Sequence, residues 1–178
     1  MSEDAGVKER LFKVLNENGD SSNGGTGKWH TTRRWMPPIV GDLVPCKNGY
    51  HLCHEWDLVY WLGPTIWEAT YRGERIDCRD KIVVREARLI RRLQTWNDRT
   101  ARLFACDCAE RALSLTNNPD PRSVNAIRVA RLFADGKASP EELAAARDAA
   151  RDAAWAAGDA EREWQTARLM EYLNGDRR

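Results

Sequence analysis

DKIVVREARLI, residues 80–90, is the strongest strand signal in the chain and decides the fold class of its first half. β-Branched residues are frequent in it, and such residues favour the pleated backbone of a strand. TIWEATY, residues 65–71, is also rich in β-branched and aromatic residues, and its side chains alternate in character. Arg72-Gly73-Glu74 and residues 77–80 have the composition of turns between strands. These segments together predict a small β-sheet.

Shorter segments upstream extend this sheet. LFKVL, residues 11–15, fits a strand or a helix, and a loop rich in turn residues follows it over 16–27. The segments 41–46 and 49–53 are predicted to be short strands joined by a tight turn. EWDLVYWLG, residues 55–63, has apolar residues near helical spacing and is followed by a proline. The first half is therefore predicted to be mostly β, with one short helix.

The composition changes near Leu93, after which Ala, Arg, Glu and Asp dominate with helical periods. The predicted fold class is α+β: a small mixed β-sheet module followed by an all-α module with a long C-terminal helix. The predicted divisions are a poorly ordered N-terminus over 1–9, an α+β module over 10–92 and a helical module over 93–175.

Three helices are predicted from their capping patterns. The first should bury a stripe that includes Cys108 and Leu115, and the second a stripe that includes Val124 and Ile127. The third should pack through Trp155 and the aromatic residues after it, with a bend at Gly158. The predicted bounds are Thr95 to Leu115, Asp120 to Gly136, and Ser139 to Leu173.

Composition and charge exclude some classes of function. The chain has 178 residues and a formal net charge of +1, which lacks the basic excess of proteins that hold nucleic acid through its phosphates. No segment reaches the roughly 18 consecutive apolar residues of a membrane span. The charged N-terminus lacks a signal-peptide core, so we expect a cytoplasmic protein, in a bacterial cell or a phage-infected host. The five cysteines are expected to be free thiols in that reducing compartment.

Three helical segments carry a family resemblance. TWNDRTARLFACDCAERAL (95–113), the segment 123–157 and EREWQTARLMEYLNG (161–175) resemble the immunity-protein-five-like helical domain. That family occurs in bacteria and phages and is associated with polymorphic toxin systems. The resemblance implies an all-α, partner-binding module and implies no reaction.

The first half resembles a different group. The segment 41–74 followed by DKIVVREARLIRRL (80–93) is similar to an uncharacterised domain common in phage and actinobacterial proteins. The shared pattern is a glycine-aromatic-His-x-Cys segment, a short helix and two strands. This resemblance implies that the segment folds as a unit, but it implies no particular function.

The segment PCKNGYHLCHEW, residues 45–56, contains residue types that bind zinc. Their spacing matches neither CxxC nor HxxxH, so no metal site is predicted, and Cys46 and Cys53 are expected to be small buried residues. His51 and Cys53 would share one face of a strand. The metal alternative would use Cys46, His51, Cys53 and His54.

An enzymatic alternative is ADP-ribosyl transfer with NAD as cofactor. Small folds of that class place a histidine strand, a glycine-aromatic strand with a helix, and a later glutamate in this order. The serine-containing middle motif of that class is missing here. The residues of this alternative are His30, Tyr50 and Tyr60 for binding NAD, and Glu68, Glu74 or Glu86 for stabilising the reacting centre.

The interpretation preferred here is a non-enzymatic binding or inhibitor protein in toxin-immunity or phage-host conflict, without a cofactor. It would cover a bacterial or phage protein, such as a toxin or a defence-complex subunit, or sequester a ligand. A phage-encoded inhibitor of a bacterial defence system, resembling anti-CRISPR proteins in role, fits the same features. Binding through an exposed aromatic patch would use Trp29 and Trp35, and a pocket would use His51. Neither a membrane nor a nucleic-acid partner is expected, and a homo-oligomer is left open.

Overall fold

The computed structural model describes residues 9–25, 27–150 and 160–177 of the chain. The chain divides into two compact units, Met1–Gln94 and Thr95–Arg178, close to the predicted change of composition. A β-sheet unit followed by helices confirms the predicted fold class. Within the described part of the chain, no helix has both the length and the apolar character needed to cross a membrane.

The N-terminal unit is built on four antiparallel strands that close into a small barrel. Strand β1 pairs with both β2 and β3, and β4 lies between those two strands. The segment 11–15 is therefore a strand, because hydrogen bonds hold both of its edges. The strands are β1 Leu11–Leu15, β2 Tyr50–His54, β3 Thr65–Asp77 and β4 Ile82–Arg92.

The core of this unit draws apolar side chains from all four strands and from the loop before β2. Trp29 belongs to that core and is only 5% exposed, so the prediction of an exposed patch at Trp29 is wrong. Trp35 is half-buried, and the guanidinium groups of Arg72 and Arg88 lie 4.4 and 4.7 Å from its ring centroid. The buried core residues are Leu11, Leu15, Trp29, Met36, Leu52, Ala69, Ile82, Val84, Ala87 and Leu89.

Three predicted details of this unit are wrong. Strand β3 continues through Arg72-Gly73-Glu74, because Gly73 at φ +80° lets the chain bulge while pairing with β4 resumes at Arg75. The segment 41–46 is no strand; it forms a turn closed by one bridge between Val44 and Asn48. The segment 55–63 contains only a single 3-10 turn, Leu58–Tyr60.

The helical unit contains α1 Asp98–Ser114, α2 Pro121–Ala134, α3 Pro140–Ala150 and α4 Ala160–Asn174. The predicted caps at Asp120 and Ser139 are confirmed, since both side chains accept a hydrogen bond from the first turn of the helix that follows. The cap of α1 is Asn97 rather than Thr95, whose hydroxyl instead donates to the carbonyl of Leu173. The predicted helix through 151–159, including Trp155 and the bend at Gly158, lies outside the described residues.

The buried stripes of α1 and α2 are shorter than predicted. Ile127 is buried, but Val124 is 48% exposed and Leu115 is 59% exposed. Leu115 lies one residue beyond the end of α1, where the helical stripe no longer directs it inward. α2 buries Val129 against Leu143 of α3 instead of burying Val124.

Asp107 of α1 joins three helices of this unit. Its side chain is only 5% exposed, and its carboxylate lies 2.6 Å from an Nη of Arg131 in α2. From α4, the Tyr172 hydroxyl donates to the same carboxylate at 3.0 Å, and Arg168 lies at 3.5 Å. Arg177, after α4, lies 3.3 Å away. A buried carboxylate with these partners fixes the helices to one another.

Candidate functional site

A pocket of about 310 Å³ opens in the N-terminal unit, and its most distinctive feature is a pair of lysines. No Asp or Glu occurs among the described residues that line it. We call it the lysine pocket. Its lining residues are Lys13, Val14, Ser21, Asn23, Gly24, Gly25, Cys46, His51, Cys53, Trp61 and Lys81.

Lys13 is the one charged residue in β1, where it is placed between buried apolar neighbours. Its Nζ lies 4.9 Å from the centroid of the Trp29 ring, an arrangement that attracts a cation. Among the described residues, no carboxylate lies within ion-pair distance of this amine. Burial lowers the pKa of Lys13 to about 8, against only a small opposing effect of Cys53. The described part of the fold therefore holds a half-buried amine with no counter-ion beside it.

Lys81, just before β4, is held differently. Its Nζ lies 3.3 Å from the carboxylate of Asp80 and 4.7 Å from the centroid of the Trp61 ring. Burial lowers the pKa of Lys81, but Asp80 and Cys46 outweigh burial, so the net effect is a raised pKa. The Trp61 indole donates to the carbonyl of Asp80 at 2.9 Å, which fixes the ring beside the amine. Lys81 therefore stays charged at neutral pH.

His51 and Cys53 both line the pocket, as their predicted position on one face of a strand requires. His51 Nε2 accepts the backbone N–H of Cys46 at 3.0 Å, which assigns its ring proton to Nδ1. Burial, followed by the charges of Lys13 and Lys81, lowers the pKa of His51, so its imidazole is neutral at pH 7. Burial raises the pKa of Cys53 to about 12 and keeps it a thiol.

Cys46 differs from its prediction. It is exposed rather than buried, and its backbone has a φ of +63°, a conformation uncommon for a residue other than glycine. Cys46 lies within the tight turn that the bridge between Val44 and Asn48 closes. The turn places Cys46 among the residues that line the pocket.

The loop before β2 supplies the remaining wall. Asn16 Oδ1 accepts the backbone N–H groups of Asn18 and Asp20, both at 2.9 Å, and so shapes the turn. The Ser21 hydroxyl donates to the carbonyl of Gly27 and accepts the indole N–H of Trp29. These bonds place the small residues Ser21, Gly24 and Gly25 at the pocket and leave room for a ligand.

The residues of the metal alternative are only partly brought together. Cys46, His51 and Cys53 line the lysine pocket, whereas His54 is bonded elsewhere. The His54 ring nitrogens lie 3.1 Å from Asp57 and 2.7 Å from Glu9, and the ring stacks on Trp56. In the described part of the chain, no group of three or more His, Cys, Asp or Glu side chains has the arrangement of a metal site.

The residues of the ADP-ribosyl-transfer alternative lie outside the lysine pocket. Hydrogen bonds from Arg91 and Arg10, against the opposing effect of burial, lower the pKa of Glu68, so this carboxylate is ionised and paired. The other two glutamates are also in ion pairs, Glu74 with Arg85 and Glu86 with Arg72.

The three other members of that alternative are not brought together at the pocket. The Tyr50 hydroxyl donates to the carbonyl of Pro37 at 2.8 Å, and Tyr60 is 50% exposed. His30 is exposed in the loop before β2, and its backbone N–H donates to the sulfur of Met36.

Sequence reasoning missed Lys13, Lys81 and Trp61 as site residues. Lys13 had a visible signal, because a lysine inside an apolar run of five residues is rarely buried unless it has a partner. Lys81 and Trp61 had no such signal. They are far from Lys13 in sequence, and only the closure of the sheet brings them to the same pocket.

No protein-family model matches this chain, and neither a curated protein nor a solved structure is significantly similar to it. The two resemblances stated from the sequence therefore stay predictions. A function for this chain is therefore inferred from the residues that line the lysine pocket.

Proposed function

We propose that this chain is a non-enzymatic binding protein whose N-terminal unit sequesters a small organic anion in the lysine pocket. One observation carries the proposal: two lysine amines line a pocket that has no carboxylate among its described lining residues. Lys81 has Asp80 as a partner, but among the described residues Lys13 has the face of Trp29 beside it rather than a carboxylate. A bound anion would supply the counter-charge that these residues do not give Lys13.

The walls favour an organic ligand over a bare inorganic ion. Val14, Cys53 and the Trp61 ring offer apolar surface beside the polar groups. A volume of about 310 Å³ lies at the lower end of the range typical of small-molecule pockets. The ligand class is therefore a single acidic group attached to a small apolar body, such as an aromatic ring.

Binding is favoured over NAD chemistry by the positions of the carboxylates. Glycosyl and ribosyl transfer need a carboxylate at the reacting carbon to stabilise positive charge. The described lining of the lysine pocket has none, and Glu68, Glu74 and Glu86 each have an arginine as partner. The proposal therefore includes no reaction with NAD.

The setting that we propose is toxin-immunity or phage-host conflict, on the strength of the resemblance of the helical half to immunity-protein domains. In that setting, the N-terminal unit would remove a small signalling or effector molecule. The helical unit would engage a protein such as a toxin or a defence-complex subunit. A phage-encoded inhibitor of a bacterial defence system would bind its ligand and its partner protein through the same kinds of contact.

Isothermal titration calorimetry with phenyl phosphate and with phenol is the test of ligand class, because the two probes differ only in the anionic group. We expect wild type to bind phenyl phosphate and not phenol. Lys13→Met should weaken binding by roughly tenfold or more, the usual effect of losing a hydrogen bond to a charged group. Lys47→Met removes an exposed lysine outside the pocket and should change Kd less than twofold. Equal binding of phenol, or unchanged binding by Lys13→Met, would contradict the proposal.

Anion affinity is also expected to depend on pH. Lys13 is charged below its pKa of about 8. The affinity for phenyl sulfate, whose charge is constant, should therefore fall by roughly tenfold between pH 7 and pH 9, as the charged fraction of Lys13 falls from about nine-tenths to about one-tenth. Three other titratable groups of the pocket keep their charge over this range: Cys53 stays a thiol, His51 stays neutral and Lys81 stays charged. Cys46 also lines the pocket, so the profile is measured in a Cys46→Ser background.

Calorimetry at fixed ionic strength checks this profile. Lys13→Arg keeps its charge at every pH and should bind with a flat profile. A wild-type affinity that is constant up to pH 10 would show that the charge of Lys13 does not hold the anion.

A further inference from the structure

We propose that Lys13 is a nucleophile that captures a small anionic aldehyde or keto acid in the lysine pocket as a reversible imine. This inference rests on the proposed function and deepens it. It narrows the ligand to acids that carry a carbonyl group, and it makes sequestration covalent without turnover.

The first support is the setting of the amine. Strand β1 presents Lys13 to the pocket from within an apolar run of five residues. Among the described residues its Nζ has a ring face rather than a carboxylate beside it. A lysine that is desolvated in an apolar setting is the kind that enzymes use to form Schiff bases. Lys81 lines the same pocket.

The second support is a division of roles between the two lysines. The ion pair with Asp80 and the contact with Trp61 keep Lys81 charged, so it can hold the acidic group of a ligand. Lys13, with a pKa of about 8, is about half neutral at pH 8, against about 0.3% for an ordinary lysine. The pocket therefore combines a permanent cation with an amine that has a free electron pair.

The chemistry balances without a further reactant. The Nζ electron pair forms a bond to the carbonyl carbon and gives a carbinolamine. The carbonyl oxygen then leaves as water with both protons of the amine, and a C=N bond remains. No oxidant or reductant takes part, and hydrolysis returns the ligand.

The test is reductive trapping with 4-formylbenzoate and sodium borohydride, followed by peptide mass spectrometry. We expect an adduct on Lys13 that forms at least tenfold faster than adducts on the exposed Lys28 and Lys47. Its rate should rise with a midpoint near pH 8, and phenyl phosphate should compete. Lys81→Met should slow trapping of 4-formylbenzoate more than trapping of neutral benzaldehyde.

Lys13→Arg separates this inference from the proposed function. It keeps the cation and loses the nucleophile, so it should bind phenyl phosphate but give no adduct in the pocket. If wild type binds phenyl phosphate while Lys13 reacts no faster than Lys47, the imine is overturned and anion binding stands. If wild type neither binds phenyl phosphate nor traps the aldehyde at Lys13, both proposals are overturned.

Discussion

Replacing Lys13 with methionine is expected to raise the free energy of unfolding of the N-terminal unit by about 2 kcal/mol at pH 7, while it weakens anion binding by roughly tenfold or more. A pKa lowered from 10.5 to about 8 means that the fold disfavours the charged amine by about 3 kcal/mol. Methionine removes that penalty and keeps the length of the side chain. The lost contact of the cation with Trp29 offsets about 0.5–1 kcal/mol.

The size of this stabilisation depends on pH. Below pH 8 the lysine is charged in both the folded and the unfolded chain, so the full penalty acts on the wild type. Between pH 8 and pH 10.5 only the unfolded chain binds the proton, and the stability of the wild type rises with pH. The advantage of Lys13→Met should therefore be constant up to pH 8 and disappear by about pH 10.5.

Urea unfolding followed by tryptophan fluorescence measures this difference, and Lys81→Met is the matched control. Lys81 has an ion-pair partner and a raised pKa, so its removal should not stabilise the fold. A Lys13→Met protein that is less stable than wild type at pH 7 would contradict the account. A gain of stability with a loss of binding is the expected mark of a residue retained for function.

Replacing Asp107 with alanine is expected to destabilise the helical unit by about 2–4 kcal/mol. The change leaves the buried Tyr172 hydroxyl without its acceptor and removes the carboxylate that Arg131 and Arg168 share. Loss of one member of a buried ion pair costs about 3–5 kcal/mol. The expected value lies at the lower end because the arginines are partly exposed and can be rehydrated.

Circular dichroism at 222 nm during urea unfolding measures this effect. Glu110→Ala is the control, because Glu110 also pairs with Arg131 but is 54% exposed, and a surface pair contributes at most about 1 kcal/mol. Equal losses for the two variants would show that Asp107 is an ordinary surface partner. A loss below 1 kcal/mol for Asp107→Ala would have the same meaning.

Local signals in the sequence predicted the parts of the fold that local physics determines. The caps at Asp120 and Ser139 satisfy backbone groups within their own helices, so four residues are enough to reveal them. α1 is capped by Asn97 and not by the predicted Thr95, because Asn97 and Thr100 form the reciprocal hydrogen bonds of a capping box. The segment 41–46 resembles a strand but has no neighbouring strand to pair with in the described part of the chain, and pairing is a tertiary property.

The candidate site was predictable only in part for the same reason. His51 and Cys53 face the pocket because strand alternation is local. Trp29 was predicted to be exposed because it lies in a loop, but the closed sheet recruits it into the core. The lysine pocket depends on β1, the loop after it and the start of β4 meeting in space, and no spacing in the sequence encodes that meeting.

The charge of Lys13 and its coupling to an anion are the centre of this account, and NMR of ¹³Cε-labelled lysine measures both. Linkage requires that an anion bound to charged Lys13 raises the pKa of that lysine. We expect one lysine, assigned to Lys13 by its absence from Lys13→Met, to titrate near pH 8 in the free protein. In saturating phenyl sulfate it should titrate at a higher pH, while the resonance of Lys47 stays unchanged. A Lys13 that titrates near its ordinary value of 10.5, or one that phenyl sulfate does not shift, would contradict the account.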